Sequence, residues 1–470
     1  MTLHQFALPF SYIEQTKRDE SYEERLVKLL SQDLDFHDKD SGYASHIFHS
    51  FPAKFPPQLP RKFITELTNP GDSVLDPMMG SGTTVLEAFL SNRRGVGFDI
   101  DPLALLISGV KVSLLNPEKV AQMGNRILEQ AVLSITEKRN KLEEKLKTRW
   151  DWETQKFVDY WFASETQMEL LALILEIEKI TDAAMRAFFE LAFSAIIITK
   201  SGGVSLALDL GHTRPHRAKV VINKSGKVVL GDEMANSNSR QVKILTKTLR
   251  SPFKEFERRY QQNLKSLLTP ELGKIQPHLK YGNAQCLDLK DASVDLIVTS
   301  PPYVSNAIDY MRAHKFSLVW LGYSIGDLGK KRTMYIGGEV LTKFDFEESP
   351  VHTAKVVADI SELDEKKGRV LHRYYSEMTR TLREMYRVLK PGRVAIVVVG
   401  SSIMRSRDTE TQICLADIGR SIGFRVPKIG VRNLDRNRRM MPAGTKLDLN
   451  SQIQQRMHEE YVIGFYKPKV

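Results

Sequence analysis

An apolar strand that ends in an acid and runs straight into a glycine turn limits the fold of this chain more than any other segment. Residues 73–84 read Ser-Val-Leu-Asp-Pro-Met-Met-Gly-Ser-Gly-Thr-Thr. Val74-Leu75 ends the strand, Asp76 sits at its tip, and Gly80 and Gly82 open a helix that starts near Thr83. Glycines there permit a tight strand-to-helix turn and let a ligand approach the backbone closely. Free amides at a helix start attract a carboxylate or a phosphate. A P-loop needs a lysine where this chain has Thr83, and an earlier glycine that it lacks; a plain strand-to-helix turn is the other reading. Gly95-Val96-Gly97-Phe98-Asp99-Ile100-Asp101-Pro102 then forms a second strand ending in an acid, about twenty residues beyond Asp76. An acid so placed hydrogen-bonds ribose hydroxyls in nucleoside-binding folds. Asp101 serves the helix beginning near Pro102 as its cap, which leaves Asp99 for the ribose. Strand, turn, helix and strand make one right-handed half of a doubly wound α/β sheet.

A second strand tip carries different chemistry. Leu296-Ile297-Val298 leads into Thr299-Ser300-Pro301-Pro302-Tyr303. Residues before proline are pushed into the extended region, and proline fixes its own φ. The Ser300 and Pro301 carbonyls are thereby kept out of a helix and point forward. The Ser300 hydroxyl can accept a hydrogen bond from an amine, and Tyr303 offers a face on which a base can stack. A strand that simply ends in a Pro-Pro loop is the plainer reading.

Together these segments resemble the amino-group DNA methyltransferases that use S-adenosylmethionine. Asp76-Pro77-Met78-Met79-Gly80-Ser81-Gly82-Thr83-Thr84 resembles their cofactor loop, and Asp99 their ribose-binding acid. Thr299-Ser300-Pro301-Pro302-Tyr303 resembles their catalytic loop, in the serine form associated with cytosine N4 methylation. Phe51-Pro52-Ala53-Lys54-Phe55-Pro56-Pro57 resembles the segment that closes over the methionine part of the cofactor. Gly282-Asn283-Ala284 resembles the end of the third strand, where the family commonly has an acid near the adenine; Asn283 departs from that pattern. The resemblance covers residues 45–115 and 275–470. It implies a class I methyltransferase (Rossmann-like) sheet of seven strands, with the terminal hairpin strand antiparallel and a mainly helical domain inserted.

The expected organisation follows. Residues 1–44 read as an N-terminal arm with a helical stretch at 23–34. Residues 45–115 are the first part of the catalytic domain, 116–275 an inserted helical and basic domain, and 276–470 the second part. Within the insert, Trp150, Trp152, Tyr160, Trp161 and Phe162 read as its own core. Further strands are expected at 279–284, 294–299, 393–400, 424–431 and 460–466. Helices are expected at 308–321, at 374–389 (stopped by Pro391-Gly392) and at 411–423, while 325–370 reads as irregular and charged.

Of 470 residues, 42% are hydrophobic and the net charge is +11. That is enough apolar matter for two ordinary cores, and the surplus of cations suits a polyanionic partner. Duplex DNA is the partner that the resemblance implies, with a cognate restriction endonuclease encoded elsewhere. Two basic clusters are candidates to hold it: Arg214, Arg217 and Lys219, and Arg432, Arg436, Arg438 and Arg439. A solvated face is the plain alternative for each. The two cysteines, Cys286 and Cys414, lack metal-ligand spacing, and no metal site is expected. Neither follows a proline, as the nucleophile of cytosine C5 methylation does in the family that performs it, and both read as packed small residues. No apolar run is long enough to cross a bilayer. No secretory leader is visible, so a cytoplasmic setting is expected.

The candidate site is therefore Ser300, Pro301, Pro302 and Tyr303 for catalysis. Phe51, Lys54, Phe55, Asp76, Pro77, Gly80, Gly82, Thr83, Asp99 and Asn283 are the candidates for the cofactor. Lys54 reads equally as a solvated lysine between packed phenylalanines. Adenine N6 methylation, RNA methylation and non-catalytic DNA binding are the competing functions. All depend on one expectation, that the tips at Asp76 and Ser300 share a cleft.

Overall fold

A computed structural model describes residues 21–51, 54–210, 215–223, 225–235, 239–268, 273–304, 309–339, 341–342, 344–434 and 459–469. Seven strands form the central sheet: β1 (Ser73–Asp76), β2 (Arg94–Asp99), β3 (His278–Tyr281), β4 (Val294–Thr299), β5 (Leu389–Val399), β6 (Arg425–Asn433) and β7 (Glu459–Tyr466). Their spatial order is β3-β2-β1-β4-β5-β7-β6. The first five run parallel, and β7 lies antiparallel between β5 and β6. Strand order reverses between β1 and β4, the place where ligands bind at the carboxyl ends of open α/β sheets.

Every residue of β4 is buried, as expected of a central parallel strand covered on both faces. Its side chains alternate between two cores. Leu296 and Val298 point to a core shared with Leu26, Leu30, Leu59 and Phe63, whereas Ile297 points to one shared with Leu371, Met378, Leu382 and Leu415. The segment read as an arm thus holds a helix, Tyr22–Leu30, closed by a reciprocal Ser21–Glu24 cap and packed on the sheet. Gly464 lies so close beneath it that an added Cβ would stand 2.6 Å from Leu30. Leu26→Ala is expected to cost about 2–5 kcal/mol in urea unfolding, because the fully buried side chain would leave a void.

Three expectations need correction. Residues 325–370 are largely helical, in Ile325–Thr333, Val351–Leu363 and the start of Glu365–Val388. Ser324 and Asp364 cap the first and third of these by accepting from the Asp327 and Lys367 amides. The long helix ends at Val388, as expected, but Pro391-Gly392 then sits inside β5, where the register with β4 shifts between Leu389 and Val394. That break in the ladder accommodates a proline that a regular ladder would exclude. Finally, the third strand ends at Tyr281, so Gly282, Asn283 and Ala284 belong to the loop beyond it.

Between β2 and β3 the chain builds the helices Pro117–Glu137, Arg139–Thr148, Trp152–Trp161, Ser164–Glu178, Ala183–Ile197 and Pro252–Leu264, together with short strands. Their apolar core continues into Leu103, Ile107 and Val110 on one side and Phe316 and Trp320 on the other. Trp150, Trp161 and Phe162 join it through Phe316 and Trp320, but Trp152 and Tyr160 are 74% and 51% exposed and lie outside it. Among the described residues, no helix is long and apolar enough to cross a membrane, and no group of three or more metal-capable side chains gathers. Cys414 is buried, but Cys286 is exposed rather than packed.

Candidate active site

Register alone brings the two candidate loops together. Val74 and Leu75 pair with Leu296 and Ile297, so Asp76 and Thr299 end adjacent parallel strands. The Thr299 hydroxyl donates to Asp76 Oδ1 at 2.7 Å, and the Met78 amide donates to the same oxygen at 3.2 Å. Burial pushes the Asp76 carboxyl up to about 6, against the pull of these bonds. Asp76 therefore braces the first loop against the second.

Past Asp76 the backbone bends through Gly80 (φ +48°) and Gly82 (φ +72°) into the helix Thr83–Leu90. The Gly80 amide donates to Asp99 Oδ2 at 2.8 Å, and the Asp101 amide to Asp99 Oδ1 at 2.9 Å. Burial, and then the charge of Asp101, raises the Asp99 carboxyl to about 7. Asp101 caps the helix Pro102–Lys111 by accepting from the Leu103 amide at 2.8 Å. Its other oxygen meets His314 Nδ1 at 2.5 Å. Burial alone would raise Asp101; the facing His314 and the bonds to it bring the carboxyl below the ordinary value instead.

Asp76, Gly80, Asp99 and Asp101 line one cleft, which opens to solvent. Phe51, Lys54, Phe55, Asp76, Pro77 and Gly80 face it from the N-terminal candidates. Thr83, Asp99, Asn283, Ser300 and Pro302 face it from those further along the chain. Gly82, Pro301 and Tyr303 are not among the lining residues. Pro301 is buried, and Tyr303 packs on the core and donates its hydroxyl to Glu460 Oε1 at 3.0 Å. Lys54 lines the cleft but spends a proton on the His46 carbonyl at 2.9 Å. Asn283 Oδ1 accepts from the Gln285 amide at 3.0 Å and so shapes its own turn.

Of the two basic clusters, only Arg217, Lys219 and Arg432 lie among the described residues. Arg432 is buried and paired with Glu460, the same carboxylate that holds Tyr303, so it presents no free charge. Its position in the strand ladder, opposite Glu460, dictates the pairing. Arg217 lies over the Tyr160 ring, and Lys219 is exposed. Arg214, Arg436, Arg438 and Arg439 lie outside the described residues.

Several lining residues had no signal in the sequence. Tyr310 stacks on Phe51 with ring centroids 5.0 Å apart, and Tyr335 and Ile336 close the wall from a segment read as irregular. A buried hydrogen-bonded chain, from the His49 imidazole to the Ser194 and Ser317 hydroxyls at 3.0 Å each, ties the insert to the cleft's surroundings. Such bonds span more than a hundred residues and leave no local pattern.

The residues present suit an S-adenosyl cofactor. An ionisable carboxylate stands at the end of β2, and Gly80, where an added Cβ would fall 3.3 Å from the Phe51 ring, lines the same cleft as that ring. Residues 11–108 match the N6/N4 family model described as DNA methylase. Over 423 residues the chain is 24% identical to the type II methyltransferase M.MvaI of Kocuria varians, covering 85% of this chain and 87% of that protein. It is 21% identical to the type II methyltransferase M.BsoBI of Geobacillus stearothermophilus over 457 residues, 89% of this chain and 84% of that one. Among solved structures, a SAM-dependent methyltransferase from Methanosarcina mazei is 11% identical, with a TM-score of 0.30, over 87% of this chain and 98% of its own.

Proposed function

We propose that this chain, which belongs to the N6/N4 DNA methylase family, is a type II DNA methyltransferase that methylates N4 of cytosine in duplex DNA, with S-adenosylmethionine as donor. What supports the reading is one observation: Ser300 opens into the same cleft as Asp99 and Gly80. A cognate endonuclease would be its natural partner.

The bound cofactor supplies an electrophilic methyl group on a sulfonium sulfur. The chain's own residues do the rest. Asp99 would accept from the ribose hydroxyls, Phe51 and Phe55 would flank the methionine part, and the Gly80–Gly82 turn would admit the ligand close to backbone. An exocyclic amine is a poor nucleophile because its lone pair is delocalised into the ring. The Ser300 hydroxyl, accepting an amine hydrogen, would draw the nitrogen toward tetrahedral geometry and restore that lone pair; the Pro301 carbonyl, the second acceptor expected from the sequence, would have to turn toward the cleft to join it. The proton departs after methyl transfer, so no strong base is needed beforehand, and positioning carries much of the rate. A base inside a duplex cannot reach the cleft and must be extruded. Tyr303, anchored through its hydroxyl, would keep the loop in place with its ring beside the site.

Serine favours cytosine over adenine here, because an aspartate acceptor is the form common in the adenine enzymes. Digesting methylated DNA and weighing the nucleosides is expected to give N4-methylcytosine; N6-methyladenine alone would reject the cytosine assignment.

Asp99 also predicts a pH dependence. Ribose hydroxyls donate best to an ionised carboxylate, and this one ionises near pH 7. Cofactor affinity by calorimetry is expected to climb from about pH 6 to 8. Asp99→Asn is expected to bind weakly and without that slope. For stability the sign is opposite: the folded chain holds a proton that the unfolded chain has already released. Stability from this group therefore falls from the ordinary carboxylate range up to about pH 7, then levels.

A further inference from the structure

Helix Trp152–Trp161 has two aromatic faces. Phe157 and Trp161 turn inward onto Phe316. Trp152, Lys156 and Tyr160 follow one another at four-residue steps on the outer face, where helical neighbours meet. The Lys156 ammonium stands 5.0 Å over the Trp152 ring, and the Arg217 guanidinium 4.5 Å over the Tyr160 ring. Rings and cations therefore alternate along an exposed stripe. Of the acids on this helix and its cap, Asp151 caps the first turn and Asp159 accepts from Gln155 and Gln167, leaving Glu153 beside the stripe.

The stripe leads toward the cleft. The Ile325 amide donates to Thr154 Oγ1 at 3.0 Å, which starts the helix Ile325–Thr333 against the first one. That second helix ends in Lys330-Lys331-Arg332. Lys331 lies 4.5 Å over the Tyr281 ring, itself 52% exposed, at the end of β3. Asp327 touches Lys330 and Asp309 clasps Arg332, yet the Lys330 side chain stays 83% exposed and that of Arg332 51%. Tyr335 and Ile336, just beyond, form cleft wall.

We propose that this ridge, from Trp152 and Tyr160 to Lys331 and Tyr281, is a docking surface for duplex DNA, its cations on phosphates and its ring faces against bases or sugars beside the extruded nucleotide. The proposal rests on the methyl-transfer reading above and adds to it where the duplex lies. Cations alone would fit any polyanion. Exposed rings, each with a cation over it, add the stacking component typical of nucleic-acid contact.

The test uses the whole protein and a mixed-sequence duplex, with affinity measured by fluorescence anisotropy across a range of salt. The triple variant Lys156→Ala, Lys330→Ala, Lys331→Ala is expected to flatten the slope of log affinity against log salt by about 0.9 for each phosphate no longer neutralised. Trp152→Ala is expected to weaken binding about tenfold, and Trp152→Phe much less. Cofactor affinity and melting temperature should not move in any of them. Unchanged slope and affinity in both sets would overturn the ridge, as would a loss confined to RNA or to a protein partner. Methyl incorporation by the unaltered protein is read alongside. Its absence counts against methyl transfer to DNA, whereas its presence with unchanged slopes counts against the ridge alone.

Discussion

Ser300→Ala is expected to lower kcat for methyl transfer about 10²–10³-fold, the loss typical of removing one hydrogen-bonding group matched to the transition state. The hydroxyl is asked to hold an amine hydrogen as the nitrogen becomes tetrahedral, an interaction that is weaker while the nitrogen is still planar. kcat and kcat/KM should therefore fall together. Cofactor affinity should hold, because Asp99, Gly80 and Phe51 approach the cleft from other elements. Labelled methyl incorporation and calorimetric titration of the cofactor separate the two. Full activity in the alanine variant would remove Ser300 from the mechanism, and lost cofactor binding would recast it as part of the donor site.

Gly82→Ala is expected to cost about 2–4 kcal/mol in urea unfolding and to weaken cofactor binding as well. Its φ of +72° already disfavours a side chain, and an added Cβ would stand 2.5 Å from Ser108 Oγ and 2.8 Å from Ser108 Cβ. Ser108 cannot simply withdraw, since its hydroxyl donates to the Gly80 carbonyl at 3.1 Å and the Gly80 amide holds Asp99. Pushing Ser108 away thus disturbs the donor loop itself. Gly71 supplies the control: its φ is +92° but nothing lies within 4 Å of an added Cβ, so Gly71→Ala should cost only the backbone strain, about 1 kcal/mol. Adding Ser108→Gly to the Gly82 variant should recover part of the loss. It should not recover all, because the Ser108 Cα would still stand 3.0 Å away.

The two strand tips were readable because their chemistry is contiguous. A short apolar strand followed by an acid and two glycines, or by a serine and two prolines, occupies about a dozen neighbouring residues, and local sterics fix what they do. The sheet order followed from the resemblance those residues carry. The helices at Ile325–Thr333 and Val351–Leu363 were missed because Gly326 and Gly329 weaken the helical signal in the first and Pro350 masks the start of the second. The Ser324 cap was the available clue. Tyr335 and Ile336 were lost with that segment. Trp152 and Tyr160 were misassigned because a cluster of aromatics says nothing about which face of a helix each one takes. Pairings such as Arg432 with Glu460, or Asp101 with His314, depend on which strands and helices become neighbours, and that is set by packing over the whole chain.

The five residues from Thr299 to Tyr303 are moored at both ends. Thr299 is fastened to Asp76 on the donor side, and Tyr303 to Glu460 on the far hairpin, where Arg432 shares the same carboxylate. A span anchored on two banks does not sag on its own; it moves when a bank moves. Rearrangement at the outer edge of the sheet thus has a direct line, one carboxylate long, to the loop that carries Ser300.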